Sequence, residues 1–145
     1  MDSFVQQVHI RWSDIDPNFH LRHSVYYDWA AACRVDFLGQ HGLTSERFQS
    51  LHFGPILLRE ECVFRREIRL GDQVTINLEL LRSRKDYSRW TIQHTIMKDP
   101  ATLAAIVTVD GAWIDTVKRK LATPPEEIVP VFAGMPVKEG FEWVT

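Results

Sequence analysis

The sequence predicts an α+β domain in which one antiparallel sheet curls around a single long helix. Two observations carry this expectation. Between Val25 and Leu38 the only charged residues are Asp28, Arg34 and Asp36, so at helical spacing apolar surface takes most of the circumference and the helix should be buried on several sides. After the turn His52-Phe53-Gly54-Pro55, everything to residue 117 has the period or composition of strands. A helix apolar on most sides, followed by strands alone, is solved by packing it against one sheet that bends around it.

Taken in order, residues 4–12 partly alternate, with Val8, Ile10 and Trp12 opposite His9 and Arg11, and read as a first strand. The turn Asp16-Pro17-Asn18 breaks it, and Ser24 is the expected N-cap of the long helix. Gly39 and Gly42 stop that helix after about four turns, roughly 20 Å. Residues 44–51 read as a short helix. The run Ile56 to Leu70 reads as one extended strand with a bend, and Leu70-Gly71-Asp72 as a turn. Val74, Ile76, Leu78 and Leu80 alternate with polar residues, as do Trp90, Ile92, His94 and Ile96 across the hairpin at 82–89, which is the pattern of half-buried antiparallel strands. Leu103 to Ile114 supplies the next strand. Thr123-Pro124-Pro125-Glu126 has the form of a capping box with proline at the first helical position, which predicts a terminal helix over 124–132. Residues 133–145 show no period and read as a tail, pinned by Phe141 and Trp143.

With 145 residues, 45% hydrophobic and 25% charged, the chain fits one domain with its own core. A formal charge of −2 leaves no broad cationic face for nucleic acid. The first residues carry an acid where a secretory leader needs a basic region, and no apolar run reaches membrane-spanning length, so no membrane insertion and a cytoplasmic location are expected. The two cysteines, Cys33 and Cys62, have no metal-site spacing and read as buried thiols.

The chemistry concentrates between Trp12 and Arg34. Asp14, Asp16, His20 and His23 fall within ten residues, just ahead of a helix start, so polar groups and unpaired backbone N–H donors meet in one place. Asp16 suits either a catalytic carboxylate or an Asx turn cap. Asp14, pointing away from it in an extended segment, suits a structural hydrogen-bonding role. His94, on an apolar strand face, reads as a hydrogen-bonded core histidine.

These residues carry a resemblance. The order Trp12, Asp14, Asp16, the turn Pro17-Asn18-Phe19, His20, Arg22, His23, Tyr26 and a helix closing with Arg34 resembles the hotdog-fold acyl-CoA thioesterases of the 4-hydroxybenzoyl-CoA thioesterase-like family. Gly71-Asp72, Lys118-Arg119 and Pro124 fit the same pattern. The likeness covers about residues 4–132, which would form the hotdog domain, a five-stranded antiparallel sheet wrapped on one central helix, with 133–145 as a C-terminal tail. It implies hydrolysis of an acyl-CoA thioester without a cofactor or metal, in homodimers or homotetramers with sites at subunit interfaces.

The resemblance gives Asp16 the role of nucleophile or general base. The backbone N–H groups of His23 and Ser24 become candidates for the oxyanion, and Gly54 a further donor from across the interface. His23 lies at the spacing of a histidine that takes part in catalysis in one branch of the family. Phe19, His20, Arg22, Tyr26 and Trp29 are the candidate substrate-binding residues. Arg82, Arg84, Lys85 and Arg89 are candidates for the phosphates of CoA, solvated hairpin charges being the competing reading. Two departures from the family pattern, Phe19 for a glycine and Arg22 for an asparagine, bear on substrate class. The alternatives are an acyl-CoA-binding module without catalysis and a metal-dependent hydrolase using Asp14, Asp16, His20 and His23. The hydratase spacing, a histidine five residues after the aspartate, fails at both Asp14 and Asp16.

Overall fold

A computed structural model describes residues 3–145. The elements are β1 (Val5–Val8), α1 (His23–Gln40), α2 (Ser45–Leu51), β2 (Phe53–Phe64), β3 (Val74–Asn77), β4 (Glu79–Ser83), β5 (Arg89–Lys98), β6 (Thr102–Asp115), β7 (Lys120–Leu121), α3 (Ile128–Ala133) and β8 (Val137–Trp143).

All strands belong to one curled sheet, antiparallel except where β8 joins β4. β3 and β4 form a single line interrupted at Leu78, and both pair with β5. β5 pairs with β6, and β6 with β2. On the far side of the β3–β4 line, β1 lies beside β3 and β8 beside β4. The sheet is therefore five strand positions wide, with β2 alone at one edge.

Helix α1 supplies Val25, Tyr26, Ala30, Cys33 and Phe37 to the core, at the three- and four-residue steps that keep one helical face together. They meet Val74, Ile76, Leu78, Ile92, Ile96, Val107 and Val109 from the sheet. Each large apolar side chain so buried contributes roughly 1.5–3 kcal/mol. Among the described residues nothing covers the opposite face: Ala31 and Ala32 are exposed and Val35 is 67% exposed. The sequence expectation of burial on several sides holds for one face only, because the sheet reaches only that face.

Other boundaries moved for local reasons. The first strand ends at Val8, and Trp12–Asp14 form a 3-10 turn. Helix α1 starts at His23 with Arg22 in the N-cap position, so Ser24 sits inside the first turn rather than capping it. Strand β2 stops at Phe64, where the N–H groups of Arg65 and Arg66 both donate to the Ala104 carbonyl. The capping-box segment stays a turn, and α3 begins only at Ile128 after Glu127. The segment read as an unpatterned tail forms β8, with Trp143 packed on the Tyr87 ring at 5.8 Å. Cys33 is buried, and Cys62, on the edge strand, is half-buried.

His94 is fully buried on β5. Its Nδ1 lies 2.8 Å from the Asn77 carbonyl and its Nε2 3.0 Å from the Arg34 guanidinium. Arg34 can only donate, so Nε2 is the acceptor and the Nδ1 proton goes to Asn77. Burial, reinforced by the Arg34 charge, pushes the His94 pKa down to about 3.

Candidate active site

The loop before α1 is held by its own carboxylates. Asp14 is 1% exposed; its carboxylate accepts from the Arg11 backbone N–H at 2.9 Å and from the Arg11 guanidinium, also at 2.9 Å. That hydrogen bond, opposed by burial, holds the Asp14 carboxyl below its usual range. The Arg22 guanidinium turns the same way, toward Asp14 and the Ser24 hydroxyl. Arg22 N–H donates to the Asp14 carbonyl at 2.9 Å, which fixes where the helix can start.

Asp16 divides its two oxygens. Oδ1 accepts from the Asn18 N–H at 2.8 Å and the His20 N–H at 3.4 Å, an Asx turn that closes the loop. Oδ2 faces the His20 Nδ1 at 3.5 Å. The turn places Phe19 at φ 66°, a left-handed backbone that suits glycine and costs a bulky residue about 1 kcal/mol or more. The Phe19 ring is 82% exposed and does not enter the site.

A short bridge between Ile15 and Leu21, and a 2.7 Å hydrogen bond from the Leu21 N–H to the Ile68 carbonyl, dock this loop onto the segment after β2. Between them lies a cleft of about 320 Å³ lined by Asp16, His20, Leu21, His23, Tyr26, Phe64, Arg65, Arg66 and Glu67. His23 and Ser24 open helix α1, and among the described residues their backbone N–H groups have no hydrogen-bond partner. A helix N-terminus with free donors attracts negative charge. Tyr26 forms the floor, its ring edge-on to Phe64 at 4.9 Å; burial pushes its pKa up to about 12, so it stays a neutral phenol. Glu67 reaches the other side of His20, with Oε2 3.7 Å from Nε2. The Arg69 guanidinium holds the Glu67 carboxyl below its usual range.

Of the residues singled out from the sequence, the fold brings Asp16, His20, His23 and Tyr26 to one cleft. Trp29 instead packs beside Tyr26 at 6.2 Å and against the core. Arg22 is turned away to Asp14, so the four candidate metal ligands are split: Asp14 does not line the cleft that Asp16, His20 and His23 share. Gly54 pairs with Ile114 at the start of β2, and Arg89 with Ala112 in the next strand. Both lie at the opposite end of the sheet from Phe64, roughly 30 Å along β2. Arg82, Arg84 and Arg89 line a separate depression beside Leu58. Sequence reading missed Arg65, Arg66 and Glu67, which carry no period and are held at the cleft by tertiary contacts: the Leu21–Ile68 hydrogen bond, the Ala104 carbonyl and Lys98.

Among the described residues no helix is long and apolar enough to cross a membrane. The fold is similar to that of a Staphylococcus aureus protein solved in complex with CoA, at 24% identity and a TM-score of 0.86 over 99% of this chain and 89% of that one. A 1,4-dihydroxy-2-naphthoyl-CoA thioesterase from Synechocystis matches at 17% identity and a TM-score of 0.81, over 92% and 97% of the two chains. A DHNA-CoA thioesterase from Staphylococcus aureus matches at 12% identity and a TM-score of 0.81, over 92% and 90%. At these identities the likeness is one of fold. No curated protein matches the sequence. A family model does match, over residues 10–132, which include the cleft, the helix and the whole sheet apart from β1 and β8, and the chain therefore belongs to the thioesterase-like superfamily.

Proposed function

We propose that the protein hydrolyses an acyl-CoA thioester to the free acid and CoA in the cleft between the Asp16 loop and the end of β2. The observation that carries this is the placement of one uncommitted carboxylate oxygen, Asp16 Oδ2, in a cleft that also receives the N-terminus of α1 with its free N–H groups. A thioester carbonyl is electrophilic and its thiolate leaves readily, so a carboxylate there serves as nucleophile or as base for a water. The His23 and Ser24 N–H groups would hold the oxyanion, a role worth about 3 kcal/mol per donor where it has been tested. His23 and Tyr26 border the reacting group, and the membership of the superfamily and the CoA-bound neighbour support the substrate class.

The reading includes a cytoplasmic homo-oligomer. β2 is a twelve-residue edge with one neighbour, and Leu57, Leu58, Val63 and Phe64 along it are each 41–51% exposed. A second copy pairing antiparallel along this edge would bring its Gly54 and its hairpin cations toward the Asp16 cleft, because residues near the two ends of β2 come opposite each other. In that arrangement the hairpin of one copy holds the phosphates of a substrate cut by the other.

The deciding experiment is hydrolysis of short, long and aromatic acyl-CoAs, followed by released thiol, with sedimentation of the same sample. Turnover of at least one substrate by an oligomer supports the reading. No thiol release from any of them would leave a binding module, and an active monomer would remove the role of the second copy.

A further inference from the structure

The His20 ring lies between two carboxylates. Asp16 Oδ2 stands 3.5 Å from Nδ1 and Glu67 Oε2 stands 3.7 Å from Nε2. The two acids come from different parts of the chain: Asp16 from the turn that carries His20 itself, Glu67 from the segment after β2. Glu67 is held from behind, its Oε1 bound by the Arg69 guanidinium and its carbonyl accepting from Lys98 Nζ at 2.6 Å. His20 is in turn tied by its own backbone, through its N–H to Asp16 Oδ1 and its carbonyl, which accepts from the Asp16 N–H at 2.9 Å. The other charged or titratable groups lining the same cleft are His23 and Tyr26 from α1, and Arg65 and Arg66 beside Glu67.

From this geometry we infer that His20, backed by Glu67, is a positioning and proton-accepting partner of Asp16 in the proposed hydrolysis. The inference rests on that reading and selects the general-base version of it. In the tautomer that carries its proton on Nε2, on the Glu67 side, Nδ1 turns a lone pair toward Asp16 Oδ2. Two lone pairs then face each other, and 3.5 Å is longer than a hydrogen bond between nitrogen and oxygen. At 3.7 Å the Glu67 contact is itself a near approach that closes to a hydrogen bond when the ring gains charge. As water attacks the thioester carbonyl, its proton moves to Asp16 Oδ2, and an O–H now points at the Nδ1 lone pair. The contact becomes a hydrogen bond only after proton transfer has begun, so it favours the transition state over the ground state. The new C–O bond forms, the C–S bond breaks, and the thiolate departs with the sulfur electron pair. The proton passes from Asp16 to Nδ1, giving an imidazolium whose second N–H is already directed at Glu67. The Nδ1 proton is then given up to the thiolate or to solvent, which restores both the Nε2–H imidazole and the Asp16 carboxylate.

The experiment measures kcat and KM from about pH 5 to about pH 9, the range in which histidine changes charge, for the intact protein and for Asp16→Asn, His20→Ala, His20→Asn and Glu67→Gln. The expected result is a kcat loss of about tenfold or more in His20→Ala and in Glu67→Gln, with KM within about twofold and a changed shape of the kcat profile. Added imidazole should restore His20→Ala in part, while His20→Asn, which keeps a hydrogen-bonding amide but takes up no proton, should stay slow. Wild-type kcat and profile in both His20→Ala and Glu67→Gln, with Asp16→Asn inactive, would overturn the inference and leave the function standing. An intact protein without thioesterase activity would overturn both. Should His20→Ala fail to fold by circular dichroism, Glu67→Gln, on an exposed side chain, decides the matter by the same readings.

Discussion

The two ends of the curled sheet are built on opposite principles. At the end where β2 begins and β6 finishes, Trp113 is fully buried and touches aromatic rings all round, with Phe53 stacked at 5.2 Å, Phe132 at 5.5 Å and Trp90 at 6.1 Å. The Trp113 indole N–H is satisfied by the Tyr87 carbonyl at 2.7 Å. At the other end, half-buried Asp16 and His20 and exposed His23 and Glu67 surround a cleft, Phe19 occupies a left-handed backbone, and two helix N–H groups find no partner among the described residues. One end spends its residues mainly on aromatic packing, with the Trp90 indole N–H buried without a partner among the described residues beside an apolar cavity of about 210 Å³, and the other keeps several polar groups uncommitted. Such groups cost stability, and they remain available for a substrate.

The contrast is open to breakage from either end. The largest expected effect is at the cleft: Asp16→Asn should lower kcat by at least a hundredfold, about 2.7 kcal/mol of transition-state stabilisation, while its melting temperature stays near that of the parent. Asp14→Asn should do the reverse, losing about 1.5–3 kcal/mol of stability with the Arg11 interaction and little of the rate. Denaturant titration and steady-state kinetics on the pair check both, and the opposite ranking would show that the wrong carboxylate has been chosen.

At the packed end, Gly111 lies under the Trp90 ring so closely that a Cβ would overlap the indole. Gly111→Ala should therefore destabilise by about 1–3 kcal/mol as the cluster is pushed apart. Urea unfolding measures it, and a change below about 0.5 kcal/mol would mean that the aromatic end yields more easily than its packing implies.

Between the ends, His94 couples stability to pH. Its pKa is pushed down to about 3 in the fold, whereas an unfolded histidine takes up a proton near pH 6.5. Between those values the unfolded chain binds the extra proton. Stability should thus be fully present above about pH 6.5 and fall as the pH drops toward about 3, by at most about 1.4 kcal/mol per pH unit from this group. Denaturation of the parent and of His94→Gln at about pH 7 and about pH 5, both above the range of most carboxylates, isolates the contribution. Equal losses in the two would assign the acid sensitivity elsewhere.

The smallest effect sharpens the comparison rather than breaking it. Replacing Arg82, Arg84 and Lys85 together with Ala should raise KM for acyl-CoA several-fold with little change in kcat, since these cations would contact substrate and transition state alike. The increase should shrink at high salt, where charges are screened over about 10 Å or less. An unchanged KM would return the hairpin to a solvated surface and shift the phosphates toward Arg65 and Arg66.

The sequence made the sheet core legible, because it rests on periodicity, whereas the aromatic end, which gathers Phe53, Tyr87, Trp113 and Phe132 from a turn, a hairpin, an apolar run and a helix, was not. The alternation from Val74 to Leu80 and from Trp90 to Ile96 reports directly on which side chains enter the core. His94 was legible for the same reason. The cleft was half legible: Asp16, His20, His23 and Tyr26 are close in sequence, and their motif announces them. Glu67, Arg65 and Arg66 are not, since a run of charges has no period and comes to Asp16 through tertiary hydrogen bonds alone. The start of α1 was misplaced because its N-cap, Arg22, contributes no capping side chain. β8 was missed because Gly140, at φ 88°, breaks its alternation and its partner β4 lies more than fifty residues away.

The unequal edges of the sheet bear on how such molecules could accumulate. β1 and β8 share the margin beside β3 and β4 as two short pieces, four and seven residues long, whereas β2 offers twelve in a row. Were both margins long and alike, each added copy would present a fresh template, and stacking could run on into a fibre. With one long margin, head-to-head pairing through β2 consumes the template on both molecules at once. In the proposed arrangement the asymmetry would act as a chain terminator, closing growth at two copies along that direction.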